Sequence, residues 1–128
     1  MKLLVTGDRE WLDVERVVEV LEQFPAGTIL VHGACRGADN TCAAVAEALG
    51  FELRPFPADW RGLGRAAGHI RNQQMLDVEH KEEEPIDLCL AFHDNIDASK
   101  GTADMLRRVA KAGIPHKLYA SKLKEISP

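Results

Sequence analysis

Short apolar runs alternate with amphipathic segments along nearly the whole chain, and that alternation leaves few folds open. Lys2-Leu3-Leu4-Val5-Thr6 reads as a buried strand ended by Gly7. Over residues 13–24, Val14, Val17, Val18 and Leu21 recur at helical spacing, with Asp and Glu on the other face. Residues 28–32 form a second strand, residues 39–49 an alanine-rich helix capped by Gly50, and residues 51–56 a third strand ended by Pro57. An irregular stretch with Trp60, Gly62 and Gly64 precedes a helix over 68–78, and the acidic run 80–85 reads as a solvated connection. Residues 86–92 make a fourth strand, 102–112 a helix capped by Gly113, and 117–120 a closing strand. Such alternation forces parallel pairing through right-handed crossovers, and parallel strands need helices over both faces. The expectation is α/β: a doubly wound parallel sheet of about five strands flanked by helices over residues 1–120, with 121–128 as a C-terminal tail.

At 128 residues there is room for one core. No apolar run approaches the roughly 18–20 residues that cross a membrane, and residues 1–7 lack the features of a signal peptide. A cytoplasmic protein with no membrane partner is expected. A net charge of −4 argues against a surface that coats nucleic acid, while leaving room for a local basic pocket. Cys35, Cys42 and Cys89 form no CxxC pair, so neither a zinc ribbon nor a disulfide framework is indicated. No metal and no cofactor are expected.

In a doubly wound sheet the ligand lies outside the carboxyl ends of the strands, where the winding direction changes. Four polar segments converge there: Gly7 with Arg9 and Trp11; Gly33 with Arg36, Gly37 and Asp39; Asp59 and Trp60 with Arg71 and Asn72 beyond; and Lys100-Gly101-Thr102 with Asp104. Glycine lets the backbone approach a ligand closely, and two of these segments open helices whose free N–H groups favour an anion. Arg36 and Lys100 add charge beside those helix starts. A plainer reading stands beside this one. Gly-rich turns often only close a strand–helix corner, Asp39 and Asp104 can be first-turn acids, and Trp11 and Trp60 can be core residues. There is no GxxxxGK[ST] and no GxGxxG after the first strand.

Five segments in order carry a resemblance: Gly7-Asp8-Arg9-Glu10-Trp11; His32-Gly33 with Arg36-Gly37-Ala38-Asp39; Pro57-Ala58-Asp59-Trp60; Ala67-Gly68-His69-Ile70-Arg71-Asn72; and Lys100-Gly101-Thr102-Ala103-Asp104-Met105. Over residues 2–117 the chain resembles the YspA branch of the SLOG superfamily, which is related to YpsA and is otherwise a family of unknown function. That superfamily joins Rossmann-like proteins similar to the DNA-processing protein DprA and to the LOG phosphoribohydrolases. The resemblance implies a Rossmann-like domain with a small nucleotide-like ligand. It also implies a homodimer, for which the sequence itself offers only the face Ala43, Ala44, Ala46 and Ala48. LOG enzymes carry a PGGxGTxxE loop and an Arg on the preceding helix. Gly101-Thr102 matches the GT and Arg71 resembles that Arg, but the Glu position falls on Met105. Met cannot serve as a carboxylate, and Asp104 points about 100° away on a helix.

The leading expectation is a protein that binds a nucleotide or nucleotide-derived phosphate ligand at the carboxyl ends of the strands and acts as a sensor of it. The alternative is a hydrolase cleaving an N-glycosidic or phosphate bond, with Asp39, Asp104 or His32 in acid–base roles and Arg71 steadying the phosphate. Single-stranded nucleic-acid binding of the DprA kind is weighed down by the acidic charge and 5% aromatic content.

Overall fold

The computed structural model describes residues 1–122. Its elements follow the expected order: β1 (Lys2–Gly7), α1 (Val14–Leu21), β2 (Ile29–His32), α2 (Ala38–Ala48), β3 (Glu52–Pro55), the one-turn helix α3 (Trp60–Leu63), α4 (Ala67–Glu79), β4 (Leu88–Phe92), α5 (Gly101–Lys111) and β5 (His116–Tyr119). All five strands are parallel, in the order β3-β2-β1-β4-β5. The chain winds outward from β1 to β3, then crosses back to place β4 on the other side of β1. The change of direction therefore falls between β1 and β4.

Successive strand residues face opposite sides, so two cores form from one set of apolar runs. Leu3, Val5, Leu30, Leu90 and Phe92 pack beneath α1 and α2, against Val17, Leu21, Cys42 and Ala46. Leu4, Val31 and Cys89 face the other way, against Met75, Met105 and Val109 of α4 and α5. Ala46 is thus a core residue, whereas Ala44 and Ala48 of the same stripe are exposed.

Local chemistry sets the differences from the expected boundaries. Asp13 accepts the Arg16 N–H at 3.0 Å and caps α1, which ends at Leu21 rather than running to residue 24. The stretch after β3 is not irregular. Asp59 accepts the Gly62 N–H at 2.9 Å, starting α3, and a 3₁₀ turn (Gly64–Ala66) leads into α4. The acidic connection is exposed over residues 81–85, as expected, and its Glu84 also lies 3.3 Å from Lys2 Nζ and 3.4 Å from Arg54 Nη1. Buried Lys2 and Glu79 pair at 3.0 Å, and Arg54 reaches Glu79 at 2.7 Å, tying β1, β3 and α4 together. Of the expected tail, Ser121 is buried and bonded to Asp94 at 2.6 and 2.8 Å, while residues 123–128 lie outside the described residues. Among the described residues no helix is long and apolar enough to cross a membrane.

Candidate functional site

A cleft of about 460 Å³ opens at the carboxyl ends of β1 and β4, where the winding reverses. Its walls come from the β1–α1 loop, the β2–α2 loop, the α3–α4 segment and the β4–α5 loop. Gly7, Arg9, Arg36, Asp39, Trp60, Arg71, Asn72, Lys100, Gly101 and Thr102 line it.

Glycine makes the corner possible. A Cβ on Gly7 would lie 2.5 Å from both the Ala38 Cβ and the Phe92 carbonyl oxygen. Gly37 has φ 78°, and a Cβ there would run into the carbonyls of Asp8 and Arg9. This contact occupies part of the expected anion cradle. The Ala38 N–H at the start of α2 donates to the Asp8 carbonyl at 3.0 Å, and the Asn40 N–H to the Cys35 carbonyl at 3.0 Å. At the start of α5, Ser99 Oγ accepts the N–H groups of Thr102 at 3.0 Å and Ala103 at 3.4 Å.

Asp39 is 7% exposed and lines the cleft. Its Oδ2 accepts the Gly33 N–H at 3.1 Å. Burial pushes its carboxyl up to about 6, against the opposing pull of Arg71, two backbone N–H groups and Arg9. Arg71, also buried, donates from Nη1 to the carbonyls of Gly33 and, at 3.3 Å, Phe56, and from Nε to Asn72 Oδ1 at 3.0 Å. Asn72 Nδ2 in turn donates to Asp104 Oδ2 at 3.0 Å and the Gly101 carbonyl at 3.4 Å. The Arg71-Asn72 pair is a strap from the β2–α2 loop to the start of α5. A Cβ on Gly33 would strike the Arg71 guanidinium, which explains that glycine.

Asp104 is not a wall of the cleft. Burial pushes its carboxyl up, but hydrogen bonds from Arg108 at 2.8 Å and Asn72, with His69 Nδ1 at 3.0 Å, outweigh burial and hold it at about 2. His32 also lies outside the cleft lining. Its Nδ1 accepts the Ala34 N–H at 3.0 Å, and burial, then Arg71, lowers its pKa, so it holds the β2–α2 loop as a neutral ring. Trp11 does not reach the cleft either: it is 3% exposed, meets Phe92 edge-on at 5.5 Å and donates its indole N–H to the Asp13 carbonyl at 2.9 Å. Asp59 caps α3, and Gly33 and Gly37 shape loops beside the cleft. Trp60 is 46% exposed, with the Arg9 guanidinium carbon 5.1 Å from its ring centroid.

The charges are unevenly free. Arg36 pairs with Glu10, both exposed, whereas Lys100 makes no ion pair or hydrogen bond through its side chain among the described residues. Five Arg and Lys side chains face three Asp and Glu in the lining, in a chain whose net charge is −4. Sequence reasoning missed Arg65 and His93 in this wall. Arg65 sits in the turn after α3, where no hydrophobic periodicity marks a face, and only the Asp59 capping position signals that the segment is ordered.

A family model described as "YspA, cpYpsA-related SLOG family" matches residues 1–62, which contain the β1–α1 and β2–α2 loops. Over 123 residues the chain is 36% identical to the "Gene 61 protein" of Mycobacterium phage D29, covering 89% of this chain and 92% of that relative. No solved structure matches it.

Proposed function

Since the chain belongs to the YspA, cpYpsA-related SLOG family, we propose that its cleft binds a nucleotide or nucleotide-derived phosphate ligand and serves as a sensor of it. The excess of cations in an acidic protein, gathered at the winding change, carries this reading. Lys100 and Gly101 at the start of α5 take the phosphates, with Arg65 across the cleft. Arg36 joins them by leaving Glu10.

One observation favours turnover as a second reading. Asp39 in the cleft wall titrates near 6, within the working range of a general acid or base. Chemistry of the LOG kind is not part of it: Met105, at the Glu position, is fully buried in the core, and Asp104 is held as an anion by its three donors.

Calorimetric titration with ADP tests the binding reading. The double variant Arg36→Ala/Lys100→Ala should bind at least tenfold more weakly, about 1.4 kcal/mol, with an unchanged melting temperature. Glu10→Gln, which frees Arg36, should bind ADP more tightly than the wild type. Equal affinity for the folded double variant overturns the assignment.

A further inference from the structure

Beside the cleft, at the carboxyl ends of β2 and β3, lies a second hollow of about 280 Å³. Arg9, Cys35, Arg36 and Trp60 line both spaces, and the Arg9–Trp60 stack forms the partition between them. The chemistry changes across it. The larger side carries Lys100, Arg65 and three carboxylates, whereas among the described residues no carboxylate lines the smaller side. The lining residues that the hollow does not share with the cleft are small and largely apolar: Gly33, Ala34, Pro57 and Ala58.

His32 builds those walls. Its carbonyl accepts the Phe56 N–H at 2.8 Å, which brings the chain leaving β3 alongside the β2–α2 loop. Its Nδ1 holds the Ala34 N–H at 3.0 Å, where Ala34 adopts φ 55°, a left-handed conformation uncommon outside glycine. Two tethers from one residue thus keep Ala34 and Pro57-Ala58 on facing sides.

The hollow falls just short of the roughly 300–1,000 Å³ of complete small-molecule sites, so it suits one part of a ligand that continues across the partition. A flat ring matches a space between an indole and Pro and Ala walls. The carbonyl of Pro57 and both backbone groups of Ala58 make no hydrogen bond among the described residues, leaving donors and acceptors for the polar edge of such a ring. We propose that this hollow is a nucleobase subsite: the base lies against Trp60 between Ala34 and Pro57-Ala58, and its phosphates extend past Arg9 into the cationic cleft. The assignment rests on the phosphate-binding reading given above.

The test compares ADP with inorganic pyrophosphate by calorimetry, in the wild type and in variants whose melting temperatures are measured alongside. Wild-type protein should bind ADP more tightly than pyrophosphate. Ala58→Phe, which fills the hollow, should lower the ratio of ADP to pyrophosphate affinity at least tenfold. Trp60→Ala should lower it similarly, and Trp60→Phe should restore most of it. A ratio unmoved by both Ala58→Phe and Trp60→Ala overturns the subsite. So does wild-type protein that binds pyrophosphate as tightly as ADP, although the phosphate reading then stands. Wild-type protein that binds neither overturns the phosphate reading and this inference with it.

Discussion

Asp39 and Asp104 occupy the first turns of α2 and α5, yet the fold drives their ionisation in opposite directions. Asp104 gathers donors from Arg108, Asn72 and His69 and stays charged. Asp39 receives backbone N–H groups while Arg71 spends its own donors on carbonyls and Asn72, so burial dominates. A folded value near 6, above the ordinary 3.8, means that the native state holds this proton longer than the unfolded chain. The associated stability is fully present below about pH 4 and is lost as pH rises through about 6, a difference of roughly 3 kcal/mol for a rise of this size. Asp39→Asn should therefore gain stability relative to wild type between pH 5 and 7.5. Urea unfolding at the two pH values measures it, and a constant difference between the proteins would exclude the effect.

At the scale of elements, the helix starts differ in what their glycines do. Gly37 enters α2 at φ 78° with the Asp8 and Arg9 carbonyls pressed against it, whereas a Cβ on Gly101 at the start of α5 meets open space. Gly37→Ala should destabilise the protein by about 2 kcal/mol or more, from both conformation and collision. Gly101→Ala should be neutral or stabilising by up to about 1 kcal/mol, because alanine favours a helix and limits the unfolded chain. Thermal and urea unfolding of the two variants reads the contrast. The loops are legible in the sequence as glycine-rich and polar. That the start of α2 is closed by the Asp8 carbonyl is not, since the contact joins loops from different strands.

Across the whole molecule, the cleft depends on β1 and β4 lying side by side although residues 8–87 separate them in sequence. Lys2 locks this arrangement at the far end of β1, where its buried ammonium meets Glu79 of α4 and Glu84 of the following connection. Lys2→Met should cost about 3 kcal/mol, because it leaves the buried Glu79 carboxylate with Arg54 as its remaining cation. Double substitution with Glu79→Leu should recover part of that loss, and unfolding free energies of the single and double variants check both statements.

Element type and order, the parallel sheet and the convergence of the glycine-rich loops are all local properties: they follow from period, from turn residues and from the handedness of crossovers. Arg71 was visible in the same way as a polar residue near the cleft. Its commitment to the Gly33 and Phe56 carbonyls was decided by tertiary contact, as was the burial of Trp11 beneath the site it was expected to line. A side chain's donors and its exposure depend on which distant segments close over it, and a sequence read in order carries no record of that closure. The same reason separates Asp39 from Asp104: two first-turn carboxylates of one residue type, distinguished only by the neighbours the fold delivered.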